Sequence, residues 1–563
     1  MQNLEEALAA FRNILGHEHV QTDEPARAAA QSATFSTTQR VPAVIMPASR
    51  GEVQECVRIA NRHKVPIYPV STGKNWGYGS SVPVRDGSVV MTLSRMNRIV
   101  EFSEELAYIT VEPGVTMRQI FEHLRQRGSK LMLSVTGSTP DSSLIGNICD
   151  RGMGAGVNAE RAAHLCDLEV VLPTGECVQT GFSRFAGAQA SRVNRWGVGP
   201  HLDGLFTQSN LGIVTQVTIW LAPLPKHHQI FIFRLDDDRR MEGVVDAIRE
   251  LKLQGIPRPS VSLWNDYKLL SMRRQYPWDE ASGQTPLPEA VMAKLRRAWG
   301  GAAWLGGGAI FAASRAEALA ERDIIRRALG RRVDKLVFID RRAATIARLL
   351  KRPIQRLTGL DLGEIVRAYE ESPHLGIPME KNIRSAYWRK RVSAPEDLNP
   401  DRDRCGAIWL SPAIPSAGNH VAPALRAIQR ITRAHQFEPN MSAIFATERC
   451  ANLVVAIMYD RDVAGEDDRA MACYRELFHH LAEQGYLPYR LGIQSMDALP
   501  PSHADYGSLM STLKRALDPN DILAPGRYDF RHEWPEGSDT LSRPTGERAG
   551  TLTERSQREA PSG

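Results

Sequence analysis

The chain has 563 residues, of which 42% are hydrophobic and 24% charged, and its formal net charge is +6. Such a length exceeds one ordinary core and predicts two or more domains of a soluble globular protein. No apolar run approaches the roughly 20 residues of a membrane-spanning helix, so the sequence pattern argues against a membrane-spanning protein.

The cysteines and the first residues indicate a reducing compartment. Seven cysteines are scattered along the chain without a CxxC pair, which argues against a disulfide framework or a zinc cluster, and we assign no metal. The stretch MQNLEEALAAFRNILG lacks the basic start and apolar centre of a secretory signal. We therefore expect a cytoplasmic location. Basic clusters at 352–356 and 381–391 come without a nucleic-acid motif, so no nucleic-acid partner is expected.

Residues 40–225 predict mixed strands and helices. Residues 43–70 have the pattern strand, helix, strand, and Ser49 and Glu52 fit a capping box at the helix start. Apolar runs near 89–96 and 109–115 are typical of strands, and Thr116 and Gln119 fit a second capping box. Residues 168–181 predict a hairpin that turns at Thr174–Gly175.

The second half has a different texture. A strand and a helix follow position 226, and Arg-rich helical segments continue to about 370. Residues 392–404 predict an exposed loop, and 407–415 and 451–460 predict buried strands. The end of the chain is rich in Pro, Gly, Ser and charge, which predicts disorder.

A glycine-rich loop, VSTGKNWGYGSS at 70–81, suggests a ligand site. Gly73, Gly77 and Gly79 allow unusual backbone angles or a close approach. Lys74 and nearby hydroxyls suit an anionic ligand. The hydroxyl-rich segments 137–147 and 203–221 have a similar composition, and convergence of all three would offer backbone N–H groups to a pyrophosphate.

Nucleotide sites of two other kinds are disfavoured. RGMGAG at 151–156 lacks the third glycine of the dinucleotide fingerprint, and no P-loop pattern occurs.

The segments PVSTGKNWGYGSSVPV, VEPGVT, IGNICDRGMGAG, DLEVVLPTGECVQTG, GVGPHLDGLFTQSNLGIVT and DPNDILAPGR together resemble the vanillyl-alcohol oxidase and p-cresol methylhydroxylase flavoproteins. This resemblance implies an α+β fold of two domains, an FAD-binding domain and a substrate cap domain. We expect the FAD-binding domain at 1–227, with 499–530 returning to it, the cap at 228–498 and a disordered tail at 531–563.

The resemblance also implies FAD, with its pyrophosphate against 71–75 and 143–147. The expected cofactor contacts are Ser71, Thr72, Gly73, Lys74, Asn75, Ser138, Ser143, Gly146, Asn147, Gly212, Val214 and Arg527.

The same resemblance implies a 4-substituted phenol as substrate. Positions that match the phenolate-binding residues are Tyr78, Tyr489 and Arg490, and Arg527 is expected near them. An arginine lowers the pKa of a bound phenol, and tyrosine hydroxyls donate hydrogen bonds to the phenolate. A phenolate favours hydride loss from the benzylic carbon, which leaves a quinone methide that water can attack. If Tyr489 and Arg490 lay on a regular strand they would point to opposite faces, so this interpretation requires irregular backbone.

Two departures from the family pattern affect the chemistry. The attachment position for covalent FAD has only Tyr387 nearby, out of register by one, so we expect noncovalent FAD. The family's catalytic carboxylate is replaced by Ser138, with Asp141 as a candidate base that equally suits a turn cap. Ala443 and Asn452 stand where relatives have a Glu and a His.

The sequence thus predicts an FAD-linked oxidoreductase that oxidises a 4-alkyl- or 4-hydroxyalkyl-phenol at the benzylic carbon. The electron acceptor is oxygen or a c-type cytochrome, and a homodimer is expected by resemblance. A second hypothesis keeps the flavin but takes a bulkier or non-phenolic alcohol or hydroxy acid as substrate. A third is a flavin-binding scaffold without catalysis.

Overall fold

The computed structural model describes residues 2–298, 301–358, 362–380 and 382–529. The expected disordered tail at 531–563 lies outside this part of the chain. None of the described helices is long and apolar enough to cross a membrane.

The predicted strand–helix–strand unit near the N-terminus is confirmed. Its helix, Arg50–His63, lies between the strands Val44–Ile45 and Ile67–Val70. The Ser49 Oγ atom accepts the Glu52 N–H at 3.2 Å, and the Glu52 carboxylate accepts the Ala48 N–H at 2.7 Å. A capping box predicts that Glu52 bonds the Ser49 N–H, whereas in the structure it bonds the N–H one residue earlier, that of Ala48.

Three sheets organise residues 20–223. The first contains, in spatial order, Val20–Gln21, Val44–Ile45, Val89–Thr92 and Ile67–Val70. The second contains Ile99–Ser103, Tyr108–Val111, Ile213–Trp220, Leu165–Val171 and Cys177–Gln179. A small third sheet pairs Leu131–Met132 with Ala222–Pro223. The predicted hairpin is confirmed, because Val171 pairs with Cys177 in antiparallel register.

α-Helices alternate with the strands in both halves of the chain. Thr116 and Gln119 form the complete capping box that the sequence predicts, ahead of Met117–Gln126. The described α-helices are Gln2–Leu15, Glu24–Ala30, Arg50–His63, Met117–Gln126, Leu144–Cys149, Met241–Leu253, Asp266–Arg273, Glu289–Ala298, Arg315–Leu329, Arg341–Thr358, Leu362–Glu370, Gly418–Ala434, Glu466–Glu483 and Ala504–Leu517.

One large antiparallel sheet dominates the second half. Its strands, in spatial order, are Lys335–Ile339, His227–Leu235, Trp304–Ala312, Val261–Asn265, Asn440–Phe445, Cys450–Asp460 and Cys405–Leu410. Ala413–Pro415 also pairs with Cys450–Asp460. The predicted strands at 407–415 and 451–460 are therefore confirmed.

The two faces of this sheet have different roles. Leu263, Ala443 and Leu453 point into a large buried core that also contains Ile248, from the helix Met241–Leu253. Because side chains alternate along a strand, their neighbours point to the opposite face. That face looks toward the first half of the chain.

The C-terminal segment returns to the first sheet. The Ile67 N–H donates to the Ile522 carbonyl at 2.8 Å, and the Ala524 N–H donates to the Ile67 carbonyl at 2.8 Å. Residues near 520 thus extend the N-terminal sheet. The domain boundaries at 227 and 498 stay a prediction.

Candidate functional site

A cavity of about 370 Å³ lies between the inner face of the large sheet and the loops of the N-terminal half. Its walls include residues from the segments 68–75, 142–150 and 208–214. The first begins in the strand Ile67–Val70, the second contains the helix Leu144–Cys149, and the third enters the strand Ile213–Trp220. The predicted convergence of three small-residue loops is thus seen in the fold.

The backbone of the first loop is open toward a ligand. None of the five N–H groups from Ser71 to Asn75 donates a hydrogen bond to another described residue. Gly73 has a φ of 68°, and a Cβ atom there would overlap the Ser81 Oγ. Consecutive N–H groups without acceptors, beside a cavity, form a typical binding surface for phosphate oxygens.

The second loop packs directly against the first. The Thr72 Oγ1 accepts the Ser143 N–H at 3.2 Å, and the Ser143 Oγ accepts the Gly146 N–H at 3.0 Å. A Cβ on Gly146 would come within 3.2 Å of the Ser71 Oγ. All twelve residues that the sequence assigns to the cofactor line this cavity. Their individual contacts with a cofactor stay predictions.

Gly77 joins the glycine-rich loop to the large sheet. Its φ is 78°, and a Cβ atom there would overlap the indole of Trp409. The Gly77 carbonyl accepts the Trp409 N–H at 3.2 Å. Any side chain at position 77 would therefore displace the Trp409 indole, which also lines the cavity.

Asp401 is the hydrogen-bond partner of Trp76 in the glycine-rich loop. Its two carboxylate oxygens accept the Trp76 Nε1–H at 3.0 Å and the Ser80 hydroxyl at 2.9 Å. Burial raises the pKa of Asp401 to about 7. The sequence predicts an exposed loop at 392–404, and this is wrong at Asp401, which is half-buried beneath the glycine-rich loop.

Tyr78, Tyr489 and Arg490 meet at one end of the cavity. The Arg490 Cζ lies 3.8 Å from the ring centroid of Tyr78 and 6.0 Å from that of Tyr489. Residues 489 and 490 form a bend rather than a regular strand, so both side chains reach the same space. The Tyr78 hydroxyl lies 2.8 Å from the Ser411 Oγ.

The electrostatics of this end suit an anion. The Arg490 Nε is buried without a hydrogen-bond partner. Burial raises the pKa of Tyr489 to about 12, so its hydroxyl keeps its proton at neutral pH. A guanidinium with a free Nε donor beside the protonated hydroxyl of Tyr489 matches a phenolate oxygen.

Arg527 has a partner of its own. It donates to the Asp150 carboxylate and to the Tyr68 hydroxyl, each at 2.8 Å. Asp150 also accepts from the Asn75 Nδ2 at 3.2 Å and from the Tyr528 hydroxyl at 3.3 Å. Sequence reasoning missed Asp150. Because Asp150 neutralises Arg527, Arg490 is the better-placed cation for a substrate anion.

Two predicted residues lie outside the cavity. The half-exposed Asp141 forms an ion pair with Arg118, with one N–O distance of 2.8 Å. That contact lowers the pKa of Asp141, and the residue does not line the cavity, so the structure does not support its role as a base. The Tyr387 hydroxyl donates to Asp403 at 2.6 Å and is not part of the cavity lining.

The wall formed by the large sheet is largely apolar. Ser442, Ile444 and Val454 face the cavity, together with Trp264 and Trp409. Ala443, one position that the sequence singles out, points to the opposite core. Among the described lining residues Asp150 is the one carboxylate, and there is no histidine. No described residue of the lining therefore replaces the family's Glu and His.

One further titratable residue in this wall was missed. Lys268 lies on the helix Asp266–Arg273, is 7% exposed and lines the cavity. Its Nζ is 3.4 Å from the Ser385 Oγ and 5.2 Å from the ring centroid of Trp409. Burial lowers the pKa of Lys268 to about 8.

Two family models match the chain. Residues 41–181 match the model described as "FAD binding domain", and residues 375–528 match "FAD linked oxidases, C-terminal domain". The second match includes Trp409, Tyr489, Arg490 and Arg527. The two models thus cover loops on both sides of the cavity.

Three similar proteins cover nearly the whole chain. It is 70% identical to "1'-carboxy-chondrochloren decarboxylase" of Chondromyces crocatus over 95% of this chain and 99% of that one. It is 28% identical to the "4-cresol dehydrogenase [hydroxylating] flavoprotein subunit" of Pseudomonas putida over 92% and 94%. A crystal structure of p-cresol methylhydroxylase with substrate bound matches with a TM-score of 0.83 and 26% identity, over 94% and 98%.

These matches confirm the predicted fold class, a two-domain α+β arrangement, and FAD as the cofactor. The free N–H groups of Ser71–Asn75 and the hydroxyls beside them fit its pyrophosphate.

Proposed function

The chain belongs to the FAD-linked oxidases of the p-cresol methylhydroxylase type, and from that premise we propose an oxidative decarboxylation of a 4-substituted phenol. The benzylic carbon loses hydride, and a carboxylate on the next carbon leaves as carbon dioxide. The observation that carries this proposal is a cavity lined by Tyr78, Tyr489 and Arg490 but without a histidine or a free carboxylate among its described lining residues.

Tyr78, Tyr489 and Arg490 bind the phenol oxygen as phenolate. Arg490 supplies a permanent positive charge. Its Nε has no protein acceptor and so can donate to the phenol oxygen. The tyrosine hydroxyls supply hydrogen-bond donors. A localised phenolate pushes electron density toward the para carbon, which weakens the benzylic C–H bond toward hydride loss. The FAD that the loop Ser71–Asn75 would hold would supply the hydride acceptor.

The second step needs no proton acceptor. After hydride loss the substrate is a quinone methide with a carboxylate on the carbon next to the exocyclic one. The electrons of the C–CO₂ bond form the new C=C bond, and the ring regains its phenolate. Carbon dioxide leaves, and neither water nor a general base takes part. The printed name of the 70%-identical relative, a decarboxylase of a carboxy compound, supports this course for the present chain.

A second candidate is hydration of the quinone methide, which gives a benzylic alcohol. The name of the relative described as hydroxylating favours it, and it is the function expected from the sequence. Water attack is assisted by a general base. Ala443 and Asn452 stand where relatives have a Glu and a His. At the neighbouring sheet positions the cavity wall presents Ser442, Ile444 and Val454. The decarboxylation therefore fits the wall better.

A non-phenolic substrate and a non-catalytic role receive less support. A non-phenolic alcohol brings no anion to the arginine beside Tyr78 and Tyr489, and a flavin-binding scaffold does not need that arginine. A hydroxy acid would offer a carboxylate to Arg490 but has no phenolic oxygen for the two tyrosine hydroxyls. Oxygen or a c-type cytochrome would reoxidise the flavin, and a homodimer is the expected assembly.

An anaerobic spectrum tests the proposal. The FAD-loaded protein is mixed with 3-(4-hydroxyphenyl)propanoate or with 4-ethylphenol, and the flavin band is followed. We expect bleaching with the propanoate, together with equal amounts of carbon dioxide and 4-vinylphenol. A benzylic alcohol that retains the carboxylate would favour hydration instead. A flavin that neither phenol reduces would overturn both candidates.

A further inference from the structure

We propose that Lys268 is a specificity-determining residue that binds the carboxylate of the substrate at the end of the cavity opposite the phenolate site. This inference rests on the proposed function and names the group that recognises the leaving carboxylate.

Lys268 differs from the other buried lysines in its partners. The Lys252 ammonium contacts three backbone carbonyls at 3.2–3.3 Å. Lys390 contacts two carboxylates, and Lys514 contacts the Asp518 carboxylate and two carbonyls. Lys268 has one hydroxyl at 3.4 Å and no carboxylate within ion-pair distance among the described residues. A buried ammonium without a counter-ion is costly, so one that lies beside a cavity is suited to an anionic ligand.

The position of Lys268 is fixed by its helix. Asn265 caps this helix, because its Oδ1 accepts the Lys268 N–H at 3.0 Å. The helix starts directly after the strand Val261–Asn265, whose Trp264 lines the cavity. A side chain at the first turn of a capped helix is therefore held against the wall of the large sheet.

The spacing to the phenolate site suits one small substrate. Trp409, whose ring faces the Lys268 ammonium, lies two residues before Ser411, whose hydroxyl contacts Tyr78. Residues i and i+2 of an extended chain point to the same side and are about 7 Å apart. The cation and the phenolate-binding tyrosine thus flank one stretch of wall. A 4-hydroxyphenyl compound with a carboxylate beyond its benzylic carbon can bridge them.

The surrounding wall provides no competing anion. Met272, Ile383, Ile444 and Val454 line the space near this helix and the adjoining strands. Asp150, the described carboxylate in the lining, is held by Arg527 at the cofactor side. A substrate carboxylate would be the counter-ion that the described residues do not supply.

The test compares probes that differ by one carboxylate. Reducing probes are 3-(4-hydroxyphenyl)propanoate and 4-ethylphenol. Inert probes, which lack a benzylic hydride to donate, are 4-coumarate and 4-vinylphenol, and their binding is followed by the shift of the flavin spectrum. The variants are Lys268→Met, Lys268→Arg and, as a matched loss of a buried ammonium away from the cavity, Lys252→Met.

We expect Lys268→Met to weaken 4-coumarate binding about 10- to 100-fold, as for the loss of one charge-assisted hydrogen bond, and to affect 4-vinylphenol far less. Lys268→Arg should restore most of the affinity. Lys252→Met should lower thermal stability without changing the ratio of the two affinities.

Equal losses for both inert probes, or no loss for 4-coumarate, would overturn the role of Lys268. A changed flavin reduction potential in Lys268→Met would also overturn this role, because it would indicate that the lysine lies at the cofactor. If neither phenol reduces the flavin, the proposed function fails, whereas the 4-coumarate titration still decides the role of Lys268.

Discussion

The guanidinium of Arg490 stacks on the ring of Tyr78, with its Cζ 3.8 Å from the ring centroid. The contact joins a residue of the glycine-rich loop to one that lies more than 400 positions later. Stacking uses the flat face of the guanidinium and leaves its edge, with the unpartnered Nε, for an acceptor. The pair therefore orients the donors that a phenolate needs.

Replacement of Tyr489 by Phe should slow flavin reduction by 4-substituted phenols about 100-fold, the usual effect of removing one donor to a developing or bound oxyanion. The rate is measured by anaerobic stopped-flow spectroscopy. Tyr506→Phe is the control, since Tyr506 is 49% exposed and lies outside the cavity. Parent-like reduction in Tyr489→Phe would argue against a phenolate site.

The flavin should be bound without a covalent link. Tyr387, the candidate attachment residue, donates its hydroxyl to Asp403 and does not line the cavity. Acid precipitation should therefore release all of the FAD into the supernatant. Tyr387→Phe should retain the flavin and lose about 1–2 kcal/mol of stability with its hydrogen bond to a carboxylate. Flavin that stays with the precipitated protein would contradict this.

Asp401 should make the free energy of unfolding depend on pH. In the unfolded chain this carboxyl ionises at its ordinary pKa, whereas in the folded chain burial raises that pKa to about 7, against the charges of Lys74 and Arg461. Between the two values the folded state binds the extra proton. The contribution of Asp401 is thus fully present at low pH and is lost as pH rises through about 7.

Asp401→Asn should flatten that part of the profile, as measured by thermal unfolding between pH 5 and 8. Asp397→Asn, in the same loop and with a side chain that is 88% exposed, is the control. If the thermal stability of both variants depends on pH as that of the parent protein does, groups other than Asp401 cause the dependence.

Lys268 should give the reaction a pH limit on the alkaline side. Because burial lowers its pKa to about 8, the ammonium becomes neutral above that pH and no longer attracts a carboxylate. The kcat/KM for 3-(4-hydroxyphenyl)propanoate reports the free enzyme and should fall above pH 8. Lys268→Arg should remove the fall, because arginine stays charged. The same fall with 4-ethylphenol would assign the limit to another group.

Several features of the fold could be predicted from short stretches of sequence. The capping box at Thr116, the hairpin at Thr174–Gly175 and the small-residue loops depend on neighbours in sequence, and the structure has them where expected. At Ser49 the cap also forms, but Glu52 accepts the Ala48 N–H instead of the Ser49 N–H. The resemblance added the positions of Tyr78, Tyr489 and Arg490, which no local pattern brings together.

What failed depends on contacts between distant segments. Asp150 is 377 positions from Arg527, and Asp401 is 325 positions from Trp76, so neither role has a local pattern. Asp141 is a candidate base from its place three residues after Ser138, which stands at the position of the family's carboxylate, but Arg118, on a neighbouring helix, forms an ion pair with it. Lys268 lies in an ordinary helical segment, and only its lack of partners in the fold distinguishes it.

The contact between Gly77 and Trp409 bears on the width of the cavity. The indole fills the space beside a backbone that has no side chain, so the loop below the flavin site and the large sheet interlock. Separating them would break the Trp409 N–H bond to Gly77 and expose the indole. The interlock therefore sets the width of the cavity, because the glycine-rich loop and the sheet wall cannot move apart without breaking this contact.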